Sequence, residues 1–336
     1  MIKSPVILLL TAVALVLVLS VSAGCTREET GQQKIVLKVV PAGSLLQPFG
    51  DVEKAFEAQH PDVDVQVEGH GSIQAIRQVT DLHRQIDVVA VADASLVPDL
   101  MFRNDPATGR NFTDSYTPFG RNAMVIAYTN KSRYAGEITT ENWYQVLSRP
   151  DVRVGISNPM LDASGYRSIM VTLLADQYYH NATIYSGLIG NHFTPPLTAP
   201  SNGGITTVTL PEVLQPSDEK VVIRDGSIFV LSHLEAGGID YAFEYRSVAE
   251  GHNLLWVNLP KEIDLSSPEY ATEYGTVKVT LGFRRFSAIG QDRIGQPIVY
   301  AITIPDTAPH PELAQKFSDM VISMAHTGGK GWLTPL

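Results

Sequence analysis

From residue 35 onward, hydrophobic positions alternate in some stretches and recur at helical spacing in others. Ile35-Val36-Leu37-Lys38-Val39-Val40 is a β-branched run of strand length. After Pro41-Ala42-Gly43-Ser44-Leu45, apolar positions through Val52, Phe56 and Ala58 predict an amphipathic helix that stops near His60-Pro61. Val63-Asp64-Val65-Gln66-Val67 predicts a second strand, and Ile73, Ile76, Val79 and Leu82 a second helix. Val88-Val89-Ala90-Val91-Ala92 then completes β-α-β-α-β, the repeat that builds a parallel sheet covered by helices.

A new unit opens with a strand predicted over Arg121 to Tyr128, followed by a helix near Glu141 to Leu147 and a strand at Val152 to Ile156. A long helix is predicted from about Ser168 to Tyr178, helical period again from Ser227 to Ala236, and a strand from Ile239 to Tyr245. Between His180 and Lys220, many Gly, Pro, Thr and Asn residues and little periodicity predict a loop-rich edge. Ile298 to Ile304 reads as a strand, and His310 to Met324 as a final helix. The fold class expected is α/β.

Two glycine-serine turns, Gly43-Ser44 and Gly71-Ser72, fall between a strand's C-terminal end and a helix N-terminus. Ligands of open α/β sheets bind outside the carboxyl ends of the strands. Free N–H groups and the helix dipole make an anion site there, and serine adds a hydroxyl donor. The plain alternative is that Ser44 and Ser72 are N-caps.

Ahead of residue 34 the pattern changes. Lys3, the apolar run Val6 to Leu19 and the small residues Ser22-Ala23-Gly24 before Cys25 have the layout of a lipoprotein signal, residues 1–25. Cys25 would then be lipidated and hold the protein on the outer face of the membrane, with Thr26 to Gln33 as a tether. Ser22 stands where such boxes usually carry a larger aliphatic residue. The alternative is an uncleaved anchor helix, since about 18 apolar residues just span a bilayer. Either way the globular part lies outside the cell.

Cys25 is the only cysteine, so no disulfide forms within the chain, and a core must supply stability. About 310 residues remain after the leader, enough for two lobes. With 35 Asp and Glu against 25 Lys and Arg, no basic stripe is available to release counterions from nucleic acid. The chain lacks a GxSxG elbow, a phosphate-binding Gly-Lys-Ser/Thr loop, a GxGxxG after a strand, and metal-type His or Cys spacing. No cofactor and no enzymatic activity are expected, and the protein is expected to act as a monomer. A discontinuous triad built on Ser72 or Ser164 with a distant histidine stays open as the anchored-hydrolase alternative.

Seven stretches together resemble the archaeal tungstate/molybdate-binding proteins of the WtpA/ModA type, the substrate-binding components of an ABC importer. They are Ala42 to Leu45, Gly69 to Ser72, Asp93 to Met101, Arg121 to Tyr128, Ser157 to Pro159, Asp162 to Arg167 and Leu234 to Ser247. They occur in family order. The Asp-x-x-Gly-Tyr-Arg and Asp-Tyr-Ala-Phe-Glu-Tyr-Arg-Ser blocks are the specific ones.

The resemblance implies a bilobal fold of the type II periplasmic-binding-protein kind, with two parallel or mixed sheets covered by helices. Lobe one would be 34–116 plus 297–336 and lobe two 117–296, with a small inorganic oxyanion, tungstate or molybdate, clamped between them. The permease and ATPase of the importer would be the partners. The family's ligand residues map onto Ser44 and Ser72 in lobe one and onto Asp162 and Tyr245 in lobe two. A family glutamate falls at Ser227, with Asp225 nearby, so the second carboxylate is missing there. Ala163-Ser164 replaces the usual Pro-Cys. Asp162 would ligate tungsten or molybdenum directly, because these hard centres accept extra oxygen ligands and sulfur in sulfate does not. Its plain alternatives are an N-cap or a salt bridge to Arg167, and for Tyr245 a core-edge aromatic. Arg167 and Arg246 read as structural. Phosphate or sulfate is the alternative ligand, phosphate because its proton would need an acceptor such as Asp162. A sensor or adhesion module that has lost transport is a further alternative.

Overall fold

β-Branched and apolar runs of four to seven residues alternate with helices through most of the chain, and long-range pairing sorts the strands into three sheets. The computed structural model describes residues 34–282 and 292–336; the leader, the Cys25 lipidation site and the 26–33 tether lie outside them. In chain order the elements are β1 (Ile35–Pro41), α1 (Leu46–Gln59), β2 (Val63–Val67), α2 (Ser72–Thr80), β3 (Val88–Val91) and α3 (Leu96–Met101). There follow β4 (Thr117–Arg121), β5 (Met124–Tyr128), α4 (Trp143–Leu147), β6 (Val154–Ser157), α5 (Ala163–Tyr178) and α6 (Ile184–Leu188). Next come β7 (Ser201–Asn202), β8 (Ile205–Thr209), β9 (Val221–Arg224), α7 (Ser227–Glu235), β10 (Tyr241–Tyr245) and α8 (Arg246–Gly251). The chain closes with β11 (Leu255–Asn258), α9 (Ala271–Tyr274), β12 (Val277–Thr280), β13 (Asp292–Ile294), β14 (Val299–Thr303) and α10 (Pro311–Thr327).

The first sheet has the order β2-β1-β3-β14-β4, with β1, β2 and β3 parallel and β14 antiparallel to β3 and β4. Its core includes Phe49 and Phe56 of α1, packed on Phe317 of α10 with ring centroids 6.0 and 5.4 Å apart. The second sheet has the order β11-β5-β10-β6-β9. There β10, β6 and β9 run parallel, and β5 is antiparallel to β10 and β11. Both sheets lie within one unit, Ile35–Leu336. Among the described residues no helix is long and apolar enough to cross a membrane.

Three expectations need correction. The strand read over Arg121 to Tyr128 is two strands in different sheets, and Asn122-Ala123 carries the chain across. Apolar alternation is blind to this change of partner. The Asn122 side chain fixes the crossing by accepting from Ala123 N at 3.0 Å and donating to Ser247 Oγ at 2.8 Å. The long helix begins at Ala163, five residues before the sequence reading, because Asp162 caps it and Gly165 opens its first turn. A Cβ on Gly165 would stand 2.3 Å from the Ser157 carbonyl oxygen, so close packing here outweighs glycine's poor helix propensity. Finally, the stretch from His180 to Lys220 contains α6, β7 and β8. Thr-rich β8 becomes a strand through parallel pairing with the distant β12, in a third sheet ordered β13-β12-β8-β7.

Candidate functional site

The carboxyl ends of β1 and β3 and the N-terminus of α2 meet the carboxyl ends of β6 and β10. Ser44 lies in a 3-10 turn after β1, where its Oγ is 2.9 Å from the Tyr300 hydroxyl. Ser72 is fully buried as the first residue of α2, and its Oγ accepts the Ala92 N–H at 3.0 Å. Neither helix shows a side-chain cap bond, so the N-cap alternative for both serines is corrected. The expected free N–H groups of α2 are also corrected in part. Ile73 and Gln74 both donate to the Leu161 carbonyl oxygen at 3.1 Å. Gly71 permits that approach, since a Cβ there would stand 2.4 Å from the same oxygen.

Asp162 is almost fully buried and occupies the N-cap of α5, where Oδ1 accepts from Ser164 N at 3.3 Å. Its other oxygen accepts from Ser227 N at 2.9 Å, so Ser227 reaches the site through its backbone. Burial raises the Asp162 pKa; the Ser227 and Ser164 N–H groups oppose that rise. The salt bridge from Asp162 to Arg167 is not formed. Arg167 instead lies 3.7 Å from Asp93, and its Nη1 donates to the Ala92 carbonyl at 2.6 Å and to the Tyr245 hydroxyl at 2.7 Å. Arg246 bonds the Thr334 hydroxyl at 3.3 Å, at the surface. Asp225 accepts from the Asn158 amide at 3.4 Å, also exposed.

These contacts join Ser44, Ser72 and Tyr245 into one network, while Asp162 and Ser227 bond each other beside it. The Ala92 peptide accepts Arg167 on its carbonyl and gives its N–H to Ser72, which links Ser72 to Tyr245. The Tyr245 and Tyr300 rings meet edge to face at 5.8 Å, and Tyr300 continues to Ser44 and to the Asn122 amide. The Tyr166 hydroxyl donates to Asp93 at 2.6 Å, which ties α5 to the end of β3 a second time. Burial and the Asp93 charge push the Tyr166 hydroxyl well above its usual pKa, so it remains a donor.

Sequence reasoning did not single out Ala92, Asp93, Asn122, Tyr166, Glu244 or Tyr300. Asp93, Asn122, Tyr166 and Glu244 stood inside the resembling blocks; Tyr300 carried only strand alternation. The site therefore offers hydroxyls, one buried guanidinium and buried carboxyl groups, a set suited to holding an oxyanion by several graded hydrogen bonds. It is poorly suited to acyl transfer. Ser72 accepts a backbone N–H, Ser164 Oγ has no hydrogen-bond partner, and neither meets a histidine among the described residues. No group of three or more His, Cys, Asp and Glu side chains among those residues is placed to hold a metal ion.

Known proteins share both sequence and fold with this chain. A family model for bacterial extracellular solute-binding proteins matches residues 37–327. An uncharacterized solute-binding protein of Methanoculleus marisnigri is 40% identical over 318 residues, covering 92% of this chain and 86% of its own length. The molybdate/tungstate-binding protein WtpA of Thermococcus kodakarensis is 39% identical over 320 residues, covering 92% and 85%. In structure, the periplasmic molybdate-binding protein of Azotobacter vinelandii superposes with a TM-score of 0.52 at 14% identity, covering 88% of this chain and 94% of that one. That likeness is one of fold, the type II periplasmic-binding-protein architecture.

Proposed function

Because the chain belongs to the family of bacterial extracellular solute-binding proteins, we propose that it is the receptor of an ABC importer for tungstate or molybdate. It captures the oxyanion outside the cell and delivers it to a membrane permease and its ATPase. No covalent chemistry and no cofactor are required. The observation that carries this reading is the convergence of Ser44, Ser72 and Tyr245 on one buried network, with buried Asp162 capping the helix that supplies its Arg167, in a chain with WtpA-named relatives.

Lobe one comprises 34–116 with 297–336, and lobe two 117–296; β4, though inside the second range, pairs with β14 and so marks the crossing strand. Serine and tyrosine hydroxyls bind the anion's oxygens, and Asp162 ligates the tungsten or molybdenum atom. Its two backbone donors hold the carboxylate in place. Ser227 serves through its N–H, as an orienting group. The anion stabilises the closed lobe arrangement, and Cys25 carries the lipid that retains the receptor at the cell surface.

Titration calorimetry on the chain from Thr26 onward tests the reading, with tungstate, molybdate, sulfate and phosphate, repeated on Asp162→Ala. The expected result is tight binding of tungstate and molybdate, weakened at least tenfold by the substitution, about 1.4 kcal/mol, and no response to sulfate. Binding of phosphate alone would move the specificity elsewhere, and silence toward all four would remove the receptor reading.

A further inference from the structure

Three Asn-x-Ser/Thr triplets, at Asn111, Asn130 and Asn181, carry the acceptor pattern for N-linked sugar. Such triplets are common by chance, so the fold has to decide which of them accepts a glycan. Two conditions follow from the chemistry. The carboxamide nitrogen must be free to bond a sugar carbon, and the hydroxyl two residues on must lie within an enzyme's reach. Asn111 meets neither. Its amide donates to Asp114 Oδ1 at 2.7 Å, and the Thr113 hydroxyl is buried, 3.1 Å from the Ser115 and Ile304 carbonyl oxygens. Asn130 is exposed, but the Ser132 hydroxyl is buried and accepts the Thr129 N–H at 2.9 Å inside its own turn.

Asn181 meets both conditions. Helix α5 ends at Tyr178, and His180, at φ 50°, takes the left-handed backbone that stops the helical path before the triplet. Asn181 Oδ1 accepts from the Thr183 N–H at 3.2 Å and from the Thr183 hydroxyl at 2.7 Å. The carboxamide is therefore held by its oxygen, and its nitrogen has no partner among the described residues. Ala182 and Thr183 are exposed. Tyr178, three residues before the asparagine, is 43% exposed. The electron-rich face of such a ring attracts the polarised C–H groups of a sugar. The 16 residues of α5 span about 24 Å at 1.5 Å each, so this loop stands at the opposite end of the helix from Asp162.

We propose that Asn181 is an N-glycosylation site, placed on the α5–α6 loop where a glycan leaves the anion site unobstructed. The donor is a sugar joined through phosphate to a membrane lipid, presented on the extracytoplasmic side where solute-binding proteins of this family work. Asn181 Nδ2 bonds the anomeric carbon as the sugar–oxygen bond to phosphate breaks. The lipid phosphate leaves with the electron pair, and one Nδ2 proton passes to a base of the transferring enzyme. The site is independent of which solute the protein binds.

The test is tandem mass spectrometry of the protein purified from its native cells and digested with chymotrypsin. The peptide from His180 to Tyr185 should carry the mass of one or more sugar residues and release sugar fragment ions. Peptides containing Asn111 and Asn130 should keep their unmodified masses. Expressed in the same cells, Asn181→Gln and Thr183→Ala should lose the glycan, and Thr183→Ser, which restores the hydroxyl, should retain it. A bare Asn181, sugar on Asn111 or Asn130, or a glycan that survives Thr183→Ala would overturn the assignment and leave the receptor reading untouched.

Discussion

At the scale of single residues, Gly71 shows how the site depends on what is absent. A methyl group there would stand 2.4 Å from the Leu161 carbonyl oxygen and 2.8 Å from its carbon, both backbone atoms with little room to give. Gly71→Ala therefore forces α2 and the β6–α5 loop apart, at about 1–3 kcal/mol, the usual range for overpacking. Tungstate affinity should fall by about five- to a hundredfold in calorimetry, and an unchanged affinity would mean that this contact does not belong to the ligand-bound state. Gly71 and Ser72 were legible as a turn because the Gly-Ser pair followed a strand. What Ser72 does was not legible, since its partner Ala92 is a plain strand residue whose peptide happens to end at the right place. Asp162 was read both as a ligand and as an N-cap, and the structure displays the capping geometry.

Elements were legible where one face is strongly periodic and illegible where a distant partner decides. Strands β1 to β3 and helices α1, α2 and α10 fall close to the sequence reading because apolar spacing fixes them locally. Strand β8 escaped it because threonine-rich alternation becomes a strand only when β12 arrives. Between elements, Lys220 joins β9 to α4. Its buried ammonium donates to the Leu147 carbonyl and, at 2.7 Å, to the Arg149 carbonyl. Burial lowers its pKa from 10.5 to about 8, so the folded protein holds this proton less tightly than the unfolded chain. Between pH 8 and 10.5 the unfolded state binds more protons, and stability attributable to this group therefore rises with pH. Denaturant titrations should show Lys220→Met lacking a gain of at most about 3 kcal/mol across that window, at 1.36 kcal/mol per pKa unit. Parallel pH curves for the two proteins would refute the assignment.

On the scale of the whole molecule, a net charge of −10 opposes capture of a dianion. Screening shortens the reach of that field from about 30 Å at 0.01 M ionic strength to about 8 Å at 0.15 M. The association rate for tungstate, followed by stopped-flow tryptophan fluorescence, should therefore rise several-fold with salt across this range. A rate that falls with salt would mean that local positive charge around Arg167 governs encounter. The α/β architecture was legible from the apolar pattern, but the point where the chain passes from one sheet to the next was not, because Asn122-Ala123 changes sheets inside one apolar run. The Leu161 carbonyl at the head of α2 has a consequence at this scale too. A bare helix terminus attracts every tetrahedral dianion alike, and sulfate would exploit it as readily as a rarer solute. By satisfying two of those donors with its own backbone, the protein gives up indiscriminate attraction. Recognition then falls to side chains, which can be exchanged one at a time as the solute changes.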